Sequence, residues 1–401
     1  AEDLAGGSGD DTFIYTNGVD LSGDTAVDGG AGADMVRFTS ATADVDDEDL
    51  ANVSGDSIEA IELASGGGNT SITLGSSGDA ATNNLTITGA DQTTAGSGDT
   101  IDVSGITEAV TITGGAGSDT LTGGSGDDTF QFASGAELSG DTSVSGGAGE
   151  DTIVFTSAAT DINDADFSSV SDVEAITLAD GANTVVLGAN ASGSGIDSIT
   201  GGTVADDITG SAADETITGG AGDDTLEGGS GNDALDGGAG NDTAVYSDSN
   251  FSISDTGSAW DITASGDGTD TVTNVEKLTV GLDTHLLVGN GGYATIQAAI
   301  DAASGGETIH IAGDDYDETL SISKSVDLIG YGDVTIEPTG TEGVAVSVSG
   351  SGDVSFDNID LDGGQGSETA TSETSGTVSL PHTGIEVDDS ATLNSLTFEN
   401  G

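Results

Sequence analysis

The chain has 401 residues, with 72 Asp and Glu against 3 Lys and Arg, a net charge of −69 and no cysteine. So strong a polyanion repels nucleic acid and anionic lipid and attracts cations, and without thiols neither a disulfide framework nor a thiolate metal site can form. No run approaches the roughly 18–20 apolar residues of a membrane-spanning helix, so membrane insertion is not expected, and 67 Gly with 4% aromatic residues is not the composition of an ordinary globular enzyme.

Acidity with few aromatics also marks disordered chains, but the apolar residues here recur in a fixed register. The pattern G-G-x-G-x-D-x-U-x, with U a large apolar residue, occurs from Gly6 (GGSGDDTF) and Gly29 (GGAGADMV). It returns in tandem from Gly114 (GGAGSDTL) and Gly123 (GGSGDDTF), and once more from Gly146 (GGAGEDTI). Degenerate copies from Gly201 and Gly210 keep the acid and the apolar residue, and three tandem copies follow from Gly219, Gly228 and Gly237. A longer repeat is superimposed: Gly6 to Gly123 and Gly29 to Gly146 are both shifts of 117, and Val53–Leu63 matches Val170–Leu178. The organisation read from this is a first module over 1–122, a homologous module over 123–218, tandem repeats with closing strands over 219–289, and a distinct segment over 290–401.

Between the nonapeptides, segments such as 70–74, 84–88 and 109–113 alternate apolar residues with Thr or Ser, the period-2 signature of strands with one buried face. Almost nothing reads as helix before residue 290. Each nonapeptide divides into a six-residue turn and a three-residue strand whose U side chain (Phe13, Val36, Leu121, Phe130, Ile153, Leu226, Leu235) is expected to point inward. Glycines let the turn carbonyls converge, and the Asp adds a hard anionic oxygen of the kind Ca²⁺ prefers, in a shell of six to eight oxygens.

These turns resemble the RTX repeats of proteins exported by bacterial type I secretion. The resemblance implies an all-β fold of parallel β-roll or β-solenoid modules, with Ca²⁺ as a multiple cofactor between stacked turns. Carried over residue by residue, the sixth-position acids are Asp11, Asp34, Asp119, Asp128, Asp151, Asp224, Asp233 and Asp242. The signal is stronger in the tandem runs 114–131 and 219–245 than at the isolated copies from Gly6, Gly29 and Gly146, which need a partner turn from elsewhere. Residues 268–278 resemble the strand pair that often follows RTX runs, with Phe251 and Trp260 available as an apolar cap. Eight Ca²⁺ would offset only sixteen of the negative charges, so either further cations bind outside the nonapeptides or much of the acid is a solvated surface suited to salty water.

From about residue 290 the character changes. The run 293–303 carries Ile296 and Ile300 one helical turn apart and ends at Gly305-Gly306, a helix stop. Strands are expected at 308–311, 319–322, 326–329, 334–336, 344–346, 354–356 and 385–387. The wording of residues 290–361 resembles the capped start of a right-handed β-helix of the pectate-lyase-like group, in which a short helix covers the open end of the solenoid. Many such proteins cleave or epimerise polysaccharides with Arg or Lys beside carboxylates, yet this segment offers only Lys324, and His285, His310 and His382 lie apart in sequence. No nucleophile–base constellation is visible and fold alone grants no activity, so the chain is read as not an enzyme.

The reading that follows is an extracellular calcium-binding structural protein of the bacterial cell surface: a surface-layer subunit, adhesin stalk or matrix filament. Calcium ions are its expected partners, with self-association or neighbouring surface proteins and polysaccharide, and no nucleic acid. The alternative is a secreted carbohydrate-active enzyme of lyase or epimerase type whose β-helix continues past residue 401; a pore-forming toxin lacks any membrane-inserting segment here. The chain begins at Ala1 without a visible leader and ends in what reads as the middle of a repeat, so a piece of a longer protein is expected.

Overall fold

The alternation of apolar and hydroxyl residues decides the local structure. In Val110–Thr113 the order V-T-I-T buries Val110 and Ile112 and turns Thr111 and Thr113 outward. The computed structural model describes residues 2–40, 42–51, 53, 58–63, 69–75, 85–89, 97–158, 161–337, 346–348, 354–361, 371–372, 378–380 and 396–398. The chain divides into two compact units, Ala1–Glu215 and Thr216–Gly401.

In the first unit each nonapeptide gives one strand and one turn, and successive strands go to different sheets. Val110–Thr113 and Thr129–Phe132 pair in parallel in one sheet, while the intervening Thr120–Thr122 pairs with Thr100–Asp102 and Ser143–Ser145 in another. One coil therefore takes two nonapeptides. Register is kept from coil to coil: Val36, Ile61, Ile87, Ile112, Phe130, Ile153, Ile176 and Ile199 stack in one inward column. Val45, Ile72, Ile101, Leu121, Val144 and Val170 form the facing column. Parallel neighbours about 4.8 Å apart bury both columns continuously, because a one-residue slip would turn each apolar side chain into water. Of the inward residues expected in this unit, Val36, Leu121, Phe130 and Ile153 are buried, and Phe13, on the first strand of its stack, is half-buried.

Short helices Gly18–Ser22, Gly135–Leu138 and Ala189–Ser194 lengthen some coils where the sequence shows no helical period. Four to six residues are too few to display one. The first two are held instead by the caps Asn17 and Ser134 and by the buried Leu21 and Leu138.

In the second unit Ile217, Leu235 and Val272 stack in one column and Leu226, Ala244 and Leu278 in another. An antiparallel meander, Phe251–Asp255, Trp260–Ala264 and Gly268–Thr273, follows. Trp260 is buried there, its ring edge-on to Tyr331 with centroids 5.4 Å apart. Beyond Asp283–Val288 the coils have three strands each: Glu307–Ile311, Asp315–Asp317 and Leu320–Ile322, then Val326–Gly330, Thr335–Glu337 and Val346–Val348. The helix Ile296–Ala302 packs Ile296, Ala299 and Ile300 into the core with Leu286, Ile309 and Leu328. Both helix ends are satisfied: Glu318 accepts from the Ile296 and Gln297 amides, and Lys324 donates to the carbonyls of Asp301 and Ala303. The strand expected at 385–387 and His382 lie outside the described residues. Among the described residues no helix is long and apolar enough to cross a membrane.

Truncating one layer of an inward column should be felt far more than truncating its outward neighbour. Ile112→Ala is expected to lower the unfolding free energy of the calcium-loaded protein by about 2–5 kcal/mol, and Thr111→Ala by at most about 1 kcal/mol. Urea midpoints of the two variants, measured in Ca²⁺, check the difference.

Candidate metal centre

A coil built from two nonapeptides places consecutive turns on opposite edges of the roll. The turns from Gly114 and Gly123, tandem in sequence, therefore do not stack on each other. The turn from Gly123 stacks instead on the one from Gly146: the Ala148 amide donates to the Gly124 carbonyl at 3.0 Å, and the Asp128 amide to Asp151 Oδ1 at 2.7 Å. The isolated copies from Gly6 and Gly29 likewise stack, with Gly7 opposite Gly30 and Ser8 opposite Ala31. In the second unit the turn from Gly219 stacks on that from Gly237, with Gly220 opposite Gly238. The isolated copies thus find the partner turns that they need elsewhere, by a rule common to all copies. A turn's partner lies one coil away, 18 residues in the shortest coils and 23 where a helix is inserted.

The sixth-position acids form ladders. In each, a carboxylate oxygen accepts the backbone amide of the equivalent residue one coil earlier. Asp11 donates to Asp34 at 2.7 Å and Asp34 to Glu59 at 2.6 Å. Asp128 donates to Asp151, and Asp151 to Glu174 at 2.7 Å. Asp99 donates to Asp119 at 2.6 Å and Asp119 to Asp141 at 2.9 Å. In the second unit Asp224 donates to Asp242 at 2.7 Å, Asp242 to Glu276 at 2.8 Å and Asp233 to Asp270 at 2.9 Å.

The eight expected site residues thus resolve into three facing pairs, Asp11 with Asp34, Asp128 with Asp151 and Asp224 with Asp242, while Asp119 and Asp233 face acids outside the nonapeptide pattern. Those further acids, Glu59, Asp99, Asp141, Glu174, Asp270 and Glu276, are absent from the sequence-based set. All but Asp141 carry a legible signal, an acid two residues before an inward apolar residue, as in Glu174-Ala175-Ile176 and Asp270-Thr271-Val272.

Fifth-position residues stitch in the opposite direction. Asp10 accepts from the Ala33 amide at 2.9 Å, Asp127 from Glu150 at 3.0 Å, Asp223 from Asn241 at 3.0 Å and Asn232 from Thr269 at 3.1 Å.

Close stacking leaves no room for side chains on the turn backbone. Gly238 has φ 93°, a conformation that favours glycine, and a Cβ there would fall on the carbonyl oxygen of Gly220. Gly114 must lack a Cβ for another reason: one would sit 2.7 Å from Oδ2 of Asp119 in its own turn.

That second oxygen is the chemically decisive one. Asp34, Asp119, Asp141, Asp151 and Asp242 are all buried, and Oδ2 of each has no hydrogen-bond partner. Among the described residues one ion pair forms, Arg37 with Glu62 at 2.6 Å. Burial first, and then the charge of neighbouring carboxylates, pushes the carboxyl of Asp119 up to about 7 and of Asp141 to about 8. For the same reasons those of Asp151, Asp242 and Asp270 rise to about 6, although the amide bonds pull the other way. A buried carboxylate without a counter-charge is costly. The donor set fits a hard divalent cation: orphaned carboxylate oxygens beside converging turn carbonyls, with no thiol or imidazole. Among the described residues no three acidic or histidine side chains converge on one point, so carbonyl oxygens must complete any shell.

Among the described residues, His285 and His310 form a separate group. His285 Nδ1 lies 3.1 Å from His310 Nε2, and His310 Nδ1 lies 3.0 Å from the Tyr331 hydroxyl. Burial, and then the neighbouring His285, lowers His310 to about 3, so its imidazole stays neutral.

A family model of the RTX calcium-binding nonapeptide repeat (4 copies) matches residues 110–136, 192–221 and 209–244. No curated protein matches the chain. The chain thus carries calcium-binding RTX repeats in an all-β fold of parallel strands. The matched spans include the turns from Gly114, Gly123, Gly219, Gly228 and Gly237; the stacking described above joins to them the unmatched turn from Gly146.

Raised carboxyl values make the metal-free fold sensitive to pH in a definite direction. The folded state holds protons that the unfolded chain releases near pH 4, so stability falls as pH rises from about 4 to about 8. In protein stripped of metal, the remaining far-UV β signal should therefore be larger at pH 5 than at pH 8. In saturating Ca²⁺ the order should reverse, because protons then compete with the ion.

Proposed function

We propose that this chain is a secreted calcium-binding structural protein of the bacterial cell surface, whose modules become rigid, extended β-solenoids on binding Ca²⁺. The observation that carries the reading is the set of buried, unpartnered carboxylate oxygens in stacked turns, at Asp34, Asp119, Asp151 and Asp242. When bound, Ca²⁺ supplies the positive charge and the oxygen coordination that these turns lack. Asp11 with Asp34, Asp128 with Asp151 and Asp224 with Asp242 are the pairs that would hold it, joined by turn carbonyls; Asp119 and Asp233 would hold it with Asp99 and Asp270. In the folded coils the amide ladders set the spacing of these acids. Without the ion the same ladders hold like charges close together, so binding free energy becomes folding free energy.

A structural role is supported by the fate of the groups that could do chemistry. His310 is buried and held neutral between His285 and Tyr331, and Lys324 is committed to the end of a helix. The duplicated coils over 6–178 suit a repeated mechanical element better than a single catalytic centre.

Excess EGTA is expected to remove most of the far-UV β signal, and Ca²⁺ to restore it. Asp151→Asn is expected to move the Ca²⁺ midpoint of that transition upward by about tenfold, equivalent to about 1.4 kcal/mol. A β signal indifferent to EGTA would sink the reading. Electron microscopy of the native material, showing lattices or filaments that dissolve in EGTA, checks the assembly.

A further inference from the structure

The two homologous modules differ at the aspartate that follows their first helix, half-buried at Asp24 and buried at Asp141. In each, a short helix is followed by Gly-Asp-Thr: Gly18–Ser22 leads to Gly23-Asp24-Thr25, and Gly135–Leu138 leads to Gly140-Asp141-Thr142. Both aspartates occupy the same place in the coil. Oδ1 of Asp24 accepts from the Glu2 amide at 3.3 Å, and Oδ1 of Asp141 accepts from the Asp119 amide at 2.9 Å. The second oxygens part company. Asp24 Oδ2 accepts from the Tyr15 hydroxyl at 3.0 Å. The residue equivalent to Tyr15 in the other module is Phe132, which is buried and has no hydroxyl. Asp141 is 5% exposed and its Oδ2 has no hydrogen-bond partner.

The neighbourhood deepens the deficit. Asp119, one step along the same ladder, is 0% exposed and its Oδ2 is also unpartnered. Glu137, on the short helix, adds its charge to both. The turn and the insertion are in direct contact, since the Thr142 hydroxyl donates to the Ser118 carbonyl at 3.1 Å. Two adjacent buried carboxylates with open oxygens match the preference of Ca²⁺ for hard anionic oxygens.

We propose that Asp141 and Asp119 form a calcium site of a second kind, in which a helical insertion replaces one of the two stacked nonapeptide turns. Asp141 lies in no nonapeptide and outside the residues matched by the repeat family. The equivalent place in the first module needs no ion, because Asp24 is only half-buried and Tyr15 supplies a hydrogen bond to its second oxygen. The proposal rests on the calcium reading above.

The test counts ions. Bound Ca²⁺ per chain is measured by equilibrium dialysis with metal analysis, for the full chain and for Asp141→Asn and Phe132→Tyr. Asp141→Asn removes the charge; Phe132→Tyr supplies the hydroxyl that Tyr15 gives to Asp24. Each variant is expected to bind one ion fewer than the parent while keeping its calcium-loaded far-UV spectrum. If Asp141→Asn fails to fold, Phe132→Tyr decides alone. Full ion counts in the folded variants, as when a proton rather than a cation resides on Asp141, overturn this inference and leave the general calcium reading standing. A parent chain that takes up no Ca²⁺ overturns both.

Discussion

The bond between a backbone amide of one coil and a carboxylate of the next governs the rest of this structure. It recurs at Asp11–Asp34, Asp99–Asp119, Asp119–Asp141, Asp128–Asp151 and Asp224–Asp242. Each bond satisfies a main-chain donor at the edge of the roll, where the strand ladder has ended. It also fixes acids one coil apart with one oxygen engaged and the other turned into the turn. From that single geometry follow the glycines, whose absent side chains admit the second oxygen, and the electrostatic debt of a fold that buries acid with so little base.

Coil geometry then decides which turns cooperate. Because successive strands go to different sheets, neighbours in sequence are strangers in space, and a turn meets its partner only after a full coil. Insertions such as Gly135–Leu138 are tolerated because they leave the coil at its edge and return in register, with Leu138 buried. The inward columns are not disturbed: Phe130 still faces Ile153 across the longer coil.

The same logic explains why duplicated segments need not be chemically identical. Tyr15 and Phe132 hold equivalent positions in two copies of one module, and both are buried. One hydroxyl, together with the deeper burial of Asp141, separates a carboxylate that is satisfied by the protein from one that is not. In the second unit His310 bonds to His285 on one side and to the Tyr331 hydroxyl on the other, and Tyr331 meets Trp260 edge-on.

Sequence alone determined the local grammar. Gly-Gly-x-Gly-x-Asp followed by an apolar residue fixes a turn and a strand, and period-2 alternation fixes which side chains of 109–113 point inward, because both are properties of a few adjacent residues. It also determined the affinity for hard cations, which follows from net charge and donor type. Tertiary structure decided the pairing of turns 6 with 29, 123 with 146 and 219 with 237, since the length of a coil depends on insertions whose path no local pattern encodes. It enrolled Glu59, Glu174 and Glu276 in the ladders, since their place two residues before an inward apolar residue is legible in sequence but the amide that each accepts is not. And it alone left Oδ2 of Asp141 without a partner, because whether a buried oxygen is satisfied depends on residues brought together from different parts of a coil, and no single segment contains them.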